Sequence, residues 1–249
     1  MLIEVAGVPL EVNCRYAENE RFFTEYETHK PPFFSIAPTD EDLKRMQVNH
    51  FILAQAEGRQ KQIHSDAFLE NNAIHALLAE KLVEYDVLLM HGSALCMDGA
   101  AYLFTAPSGT GKSTHTRLWR EVFGDRIWMI NDDKPMLRIS ENLVTAYGTP
   151  WNGKHHISRN ASAPLKAIVQ LNRGKENIIE PMSNADAFTV VMKQALTSKT
   201  PSVMSRIIQL EKNLLNSVDF YKLSCNMEPK AAKVAWQAIS SDKSGRKER

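Results

Sequence analysis

The chain has few cysteines and no long apolar run, and each absence excludes a class of protein. It contains three cysteines, Cys14, Cys96 and Cys225. Their odd number and wide spacing fit neither a disulfide framework nor a cysteine-based zinc site, so we expect reduced thiols and a cytoplasmic protein. The most apolar stretch, residues 87–106, is interrupted by a histidine and by Asp98, and we expect no membrane span there.

The chain also lacks an excess of charge of either sign. Thirty basic residues face twenty-nine acidic ones, for a net charge of +1, which provides no global field for nucleic acid or an anionic membrane. The first residues include Glu4 and no basic cluster, so we expect no signal peptide. The one basic run closes the chain, and residues 241–249 are predicted to be a disordered basic tail.

Patterning divides the chain near residue 85. Residues 2–5 and 8–12 predict a hairpin, residues 31–38 a strand bounded by prolines, and residues 67–86 a helix. Thr39 and Asp42 have the spacing of a capping box and predict a helix start. We therefore predict a small α+β unit over residues 1–85 and a larger domain over residues 86–240.

The larger domain alternates apolar strands with helical runs, which favours an α/β layered core. The turn Asp98-Gly99 predicts a hairpin between residues 87–97 and 101–106. The other expected elements are strands at 127–131, 136–139, 143–148, 165–172 and 220–225, and helices at 185–196, 204–218 and 228–239.

A glycine-rich stretch follows the second strand of that hairpin. Residues 106–113 match the phosphate-loop (Walker A) pattern except that Ala106 replaces the first glycine. The nucleotide-binding residues we predict are Ser108, Gly109, Thr110, Gly111, Lys112, Ser113 and Thr114. Lys112 would contact the β- and γ-phosphates and Ser113 a magnesium ion, at the start of a helix whose dipole favours anions. His115 and Arg117 in its first turns could contact nucleotide or face solvent.

Two adjacent carboxylates, Asp132 and Asp133, end the buried strand at 127–131. Such a pair could simply open a turn before Pro135. It could also divide two tasks: one carboxylate holds Mg²⁺, and the other accepts a proton from an attacking hydroxyl.

Residues 90–138 resemble the catalytic domain of HPr kinase/phosphorylase, a member of the phosphoenolpyruvate carboxykinase-like group. The resemblance lies in the order histidine, hairpin, phosphate loop and Asp-Asp. It implies an α/β fold with an HPr kinase/phosphoenolpyruvate carboxykinase-like P-loop core and a mixed sheet, plus the small N-terminal α+β unit. It also implies that His91 lies near the phosphates, that Asp132 is the general base and that Asp133 binds metal. Without the resemblance, we would interpret His91 as a strand-edge or core histidine.

The chain departs from that family after the Asp-Asp strand. The family has a glutamate-bearing segment there, whereas residues 147–160 contain no acid. The acceptor is therefore not expected to be HPr. Lys154, His155 and Arg159 in this segment could contact the acceptor or the γ-phosphate, or they could belong to a surface turn anchored by Trp151.

These observations lead to a hypothesis of function. The chain is predicted to be an ATP- and Mg²⁺-dependent kinase that transfers the γ-phosphoryl group to a hydroxyl of a small molecule or a protein serine. The alternatives are a nucleotide-binding regulator or slow NTPase, and a scaffold with a vestigial loop. No motif in the sequence indicates recognition of a particular nucleobase, so GTP and pyrophosphate stay open as phosphate donors. The resemblance is consistent with a homo-oligomer.

Overall fold

The computed structural model describes residues 1–141 and 143–241, which divide into two compact units. The first unit covers residues 1–85, and the second begins at Asp86. The predicted tail lies outside the described residues except for Ser241, which ends the last helix. None of the described helices combines the length and apolarity needed to cross a membrane.

The first unit is a small α+β structure. Its strands are β1 (Leu2–Val5), β2 (Val8–Val12) and β3 (Ser35–Ile36), and its helices are α1 (Ala17–Phe22), α2 (Asp40–Ala56) and α3 (Asp66–Leu82). β2 lies between the other two strands. Ala6 and Gly7 both have positive φ, as the tight turn between β1 and β2 requires. The predicted capping box at Thr39 and Asp42 is confirmed.

Over its described residues, the second unit has a nine-stranded mixed sheet and four α-helices. Its strands are β4 (Val87–Leu89), β5 (Ser93–Met97), β6 (Ala100–Thr105), β7 (Ile127–Asn131), β8 (Met136–Ile139), β9 (Val144–Tyr147), β10 (Ser162–Arg173), β11 (Ile178–Pro181) and β12 (Asp219–Cys225). Its helices are α4 (Lys112–Phe123), α5 (Asn184–Gln194), α6 (Pro201–Ser217) and α7 (Lys230–Ser241). The mixed α/β class predicted from the sequence is confirmed.

The order of five strands positions the site. They run β12-β10-β6-β5-β7; β10 is parallel to β6 and β12, and β5 is antiparallel to both β6 and β7. The carboxyl ends of β6, β7, β10 and β12 therefore meet at one edge of the sheet, together with the start of β5. Loops at such an edge are where α/β proteins commonly bind ligands.

The core beside this edge packs the sheet against α4 and α7. Trp119 is fully buried and lies against Tyr102 and Phe104, while Phe123 contacts Trp236 of α7. These aromatic contacts fix the axis of α4, and hence the loop that precedes it, relative to β6.

Two sequence expectations need correction. Residues 87–97 form two strands instead of one, because the chain leaves β4 at Met90 and β5 begins only at Ser93. Gly92 allows this passage: a Cβ there would lie 2.9 Å from the Phe104 carbonyl oxygen. The strand predicted at 31–38 is reduced to Ser35–Ile36, since its prolines cannot donate ladder hydrogen bonds.

Candidate active site

The glycine-rich stretch forms a loop between β6 and α4. β6 ends at Thr105, and α4 begins at Lys112 with Gly111 before it. Gly109 and Gly111 have φ of 76° and 121°, a region that side chains disfavour. No side chain caps the first turn of α4, so its backbone N–H groups are available to an anion.

A cavity of about 410 Å³ lies beside this loop. From the loop it is lined by Ser108, Gly109, Gly111, Lys112, Ser113 and Thr114. Its other walls are His91, Asp132, Asp133, Gly153, Lys154 and His155. We call it the catalytic cavity. Residues from four separate stretches of sequence thus meet in one place, and nearly all predicted site residues are among them.

Two predicted residues lie elsewhere. Thr110 lines a different cavity on the other side of the loop. The Arg159 guanidinium lies over the Trp128 ring, 5.4 Å from its centroid, and Arg159 does not line the catalytic cavity.

The two residues in the first turns of α4 differ in exposure. Arg117 is exposed and paired with Glu121. His115 is only 2% exposed, which excludes the solvent-facing alternative for it.

Asp132 is held at the cavity wall by a neighbouring strand. The Ser93 hydroxyl donates a 2.6 Å hydrogen bond to Asp132 Oδ1, and Ser93 Oγ lies 3.1 Å from Thr116 Oγ1. The register that places Ala94 opposite Asn131 brings Ser93 close to the residue that follows β7. Asp132 is 6% exposed, so this carboxylate is mostly withdrawn from water.

Asp133 faces the catalytic cavity from the next position. His91 Nε2 lies 3.4 Å from Asp133 Oδ1, and His91 Nδ1 lies 3.2 Å from Gln194 Oε1. Burial alone would raise the pKa of Asp133, but the His91 contact and the charges of Lys134 and Lys112 hold that pKa below its ordinary value. The Asp133 carboxylate is therefore ionised, as a ligand to a metal ion must be.

Lys112 contributes positive charge to the cavity from the loop side. Its Nζ donates a 3.0 Å hydrogen bond to the Ala106 carbonyl. Burial lowers the pKa of Lys112, and the charges of Asp133 and Asp132 partly oppose that effect. The charges of the two carboxylates thus act on the Lys112 ammonium, and all three groups line one cavity.

The segment after β9 is anchored to the strand that leads to the carboxylates. Asn131 Nδ2 donates to the carbonyl and the hydroxyl of Thr149, both at 3.0 Å, and Asn131 Oδ1 accepts from the Asp133 backbone N–H at 2.8 Å. Gly148 has no room for a side chain, because a Cβ would lie 1.9 Å from the Arg159 carbonyl oxygen. These contacts place Lys154 and His155 at the cavity.

Sequence reasoning missed several residues that build the site. Ser93, Asn131 and Gln194 act through hydrogen bonds to residues of other elements. Arg173 at the end of β10 donates a 2.7 Å hydrogen bond to the Gly109 carbonyl. Only Asn131 carried a sequence signal, as a buried polar residue directly before the Asp-Asp pair.

The donor set fits Mg²⁺, which commonly takes one or two carboxylates together with phosphate oxygens. Ser113 offers a hydroxyl and Asp133 an ionised carboxylate on the same cavity. Among the described residues, no group of three or more His, Cys, Asp or Glu has a metal-binding arrangement.

No protein-family model matches this chain, and none of the curated proteins matches it. Among solved structures it is similar to the HPr(Ser) kinase/phosphatase from Coxiella burnetii. The two share 9% sequence identity with a TM-score of 0.37, over 61% of this chain and 97% of that chain. A similarity this distant concerns the fold alone.

Proposed function

We propose that this protein is a Mg-ATP-dependent phosphotransferase that moves the γ-phosphoryl group to a hydroxyl of a small molecule or of a protein serine. The observation that supports the proposal best is the meeting of Lys112, Asp132 and Asp133 on one cavity beside the phosphate loop. Nucleotide binding needs only the loop. The buried Asp132 carboxylate next to it is suited to a further task, the removal of a proton from the acceptor.

The reaction has three parts. The acceptor oxygen forms a bond to the γ-phosphorus while the bond from that phosphorus to the β–γ bridging oxygen breaks, and ADP leaves. The acceptor proton passes to the Asp132 carboxylate. Ser93 keeps Oδ1 of that carboxylate in place through its 2.6 Å hydrogen bond, so that proton transfer needs no reorganisation.

The other residues hold charge in place. Lys112 would neutralise the β- and γ-phosphates, and Ser113 and Asp133 would hold Mg²⁺, which supplies charge neutralisation for the developing transition state. His91 orients Asp133, and Lys154 and His155 lie where the acceptor would enter. Their donors would bind the acceptor or the transferred phosphate.

The test follows label from γ-labelled ATP into the protein and metabolite fractions of a cell extract, with wild type and Asp132→Asn. We expect transfer into one fraction by the wild type and a fall on the order of 10²–10⁴-fold in the variant, with ATP binding unchanged. Asp98→Asn, at the exposed turn between β5 and β6, is the matched control and should transfer as wild type does.

Two results would contradict the proposal. Equal transfer by wild type and Asp132→Asn would remove Asp132 as the base. Nucleotide bound by both forms with no label moved by either would favour the alternative of a regulator or slow NTPase.

A further inference from the structure

Two stretches of the catalytic cavity wall are joined by one buried pair of side chains. The first stretch, residues 132–134, follows β7 and carries both carboxylates, and we call it the carboxylate turn. The second, residues 148–159, follows β9 and brings cationic side chains to the cavity, and we call it the acceptor segment. Asn131 and Thr149, which lie between them, are both fully buried.

The Asn131 amide uses all of its hydrogen-bonding positions at this junction. Its Oδ1 accepts from the backbone N–H groups of Asp133 and Lys134, at 2.8 and 2.7 Å. Its Nδ2 donates to the carbonyl oxygen and the hydroxyl oxygen of Thr149, both at 3.0 Å. Because the two N–H groups need an acceptor, the amide has only one favourable orientation. One side chain therefore binds the carboxylate turn on one side and the acceptor segment on the other.

The Thr149 hydroxyl closes a ring of hydrogen bonds around this junction. It accepts from Asn131 Nδ2 and donates its proton to the Lys134 carbonyl oxygen at 2.8 Å. The Lys134 backbone N–H in turn donates to Asn131 Oδ1. A hydroxyl can donate and accept at the same time, whereas the similarly shaped valine side chain can do neither. The ring thus depends on the chemistry of Thr149 as well as on its shape.

The acceptor segment returns to the carboxylate turn further along the chain. The Asp132 backbone N–H donates to the Ile157 carbonyl oxygen at 3.0 Å. Gly153 approaches the turn so closely that a Cβ there would lie 2.9 Å from the Asp133 Cβ. The segment therefore contacts the turn near its start, its middle and its end, and the position of one stretch limits the position of the other.

We propose that Asn131 and Thr149 are positioning residues, which hold the general base and the acceptor-binding residues in one arrangement. This inference rests on the proposed function and deepens it. An acceptor bound at Lys154 and His155 brings its hydroxyl to Asp132 only when the two stretches keep a fixed separation. The junction holds the backbone of the acceptor segment, so the side chains at positions 154 and 155 can differ without moving the base.

The experiment removes the Thr149 hydroxyl and then restores it. Thr149→Val removes both hydrogen bonds of the hydroxyl, and Thr149→Ser keeps them. Transfer from γ-labelled ATP is measured with the extract fraction that wild type labels, and calorimetry measures the affinity for Mg-ATP. We expect Thr149→Val to lower transfer at saturating ATP on the order of 10-fold, with ATP affinity unchanged. Thr149→Ser should transfer as wild type does.

A matched control makes the same exchange elsewhere in the same hairpin. Thr145 lies on β9 at a half-buried position outside the lining of the catalytic cavity. Thr145→Val should leave transfer unchanged. Thr149→Ala removes the hydroxyl without placing an added methyl group against the Asn131 amide, and it replaces Thr149→Val if that variant does not fold.

A second measurement reports on the junction independently of activity. Backbone hydrogen exchange of the full-length variants, followed by mass spectrometry, compares the carboxylate turn with the acceptor segment. We expect Thr149→Val to speed exchange on the order of 10-fold in both stretches, because each then lacks a bond that holds it to the other. Thr145→Val should change neither stretch.

The outcomes separate this inference from the proposed function. Faster exchange confined to the acceptor segment would show that the carboxylate turn keeps its position without Thr149, and it would overturn the inference. Undiminished transfer by Thr149→Val, or an equal loss in Thr149→Ser, would overturn it while leaving the proposed function intact. Failure of wild type to label any fraction would overturn the proposed function and the positioning role together.

Discussion

The two sides of the glycine-rich loop between β6 and α4 differ in how their polar groups are satisfied. On the β5 and β7 side, Asp132, Asp133 and Asn131 each have a hydrogen-bond or ionic partner in a neighbouring element. On the β10 and β12 side, His115 and Asn172 keep donors without a partner among the described residues.

This difference fits two kinds of task. A group that moves a proton or holds a metal must be kept in one position, and a network of partners does so. A buried polar group without a partner instead carries a free-energy cost that a partner would remove. The loop glycines lie between the two sides and belong to both cavities. We call the β5 and β7 side the fixed side, because its polar groups have partners in neighbouring elements. The predictions below begin with this side.

After Asp132→Asn, the largest effect on the fixed side is expected from Gly153→Ala. A Cβ at this position, where φ is 69°, would lie 2.9 Å from the Asp133 Cβ. The methyl group would displace Asp133, and we expect metal-dependent transfer to fall on the order of 10–100-fold, as for other changes that move a metal ligand. Steady-state kinetics against Mg²⁺ concentration measures the effect.

Gly99→Ala is the matched control for that variant. Gly99 also has a positive φ, 81°, but a Cβ there would meet nothing within 4 Å. Both changes introduce similar backbone strain of about 1–2 kcal/mol. Equal activity losses in the two variants would show that strain alone accounts for the effect and that Asp133 has no special role.

A smaller effect is expected from Ser93→Ala. Ser93 is fully buried, and its hydroxyl is a partner of Asp132 Oδ1. A hydrogen bond to a charged group contributes roughly 1.5–3 kcal/mol, and the low end of that range corresponds to a loss of about 10-fold in the transfer rate at saturating ATP, which we expect here. ATP affinity should not change. Ser240→Ala on α7 is the control, and a loss confined to ATP affinity would contradict the positioning role.

The smallest effect on activity is expected from Glu211→Gln, which alters a carboxylate that lines neither cavity. Glu211 is 1% exposed, its oxygens have no partner among the described residues, and burial raises its pKa to about 7. Because the folded pKa lies above the unfolded value of 4.5, the folded state retains its proton longer. The contribution of Glu211 to the free energy of unfolding is thus greatest below pH 4.5 and falls as pH rises through 7.

Urea titrations at pH 5 and pH 8 measure this effect. We expect Glu211→Gln to be more stable than wild type at pH 8 by roughly 1–3 kcal/mol and similar to it at pH 5. Phosphoryl transfer should be unchanged. A variant that is equally destabilised at both pH values would show that the carboxyl group of Glu211 has a partner that Gln cannot replace.

The features that could be predicted from the sequence depend on residues that lie close together along the chain. The glycine-rich loop and the Asp-Asp pair could be singled out because their pattern lies within a few adjacent residues, and the hairpin turns because Ala6-Gly7 and Asp98-Gly99 are positions that need positive φ. The capping box at Thr39 depends on a spacing of three residues. Signals of this kind need no knowledge of which strands pair.

The missed residues depend on strand pairing. Ser93 reaches Asp132 only because β5 pairs with β7, and Arg173 reaches Gly109 only because β10 lies beside β6. The second cavity beside the loop has the same origin, since its walls come from α4 and from the ends of β10 and β12. Arg159 stands near Lys154 in the sequence, but it packs on Trp128 because the backbone at Gly148 turns the segment back toward β7.

The proposed chemistry occupies one short part of the chain. His91, Ser93, the loop and both carboxylates all fall within residues 91–133. The second cavity beside the loop and the segment that carries Lys154 draw residues from beyond that range. Selection can therefore act on the two groups separately. Substitutions outside the short segment can give descendants of this protein a new donor or acceptor while the transfer chemistry is inherited unchanged.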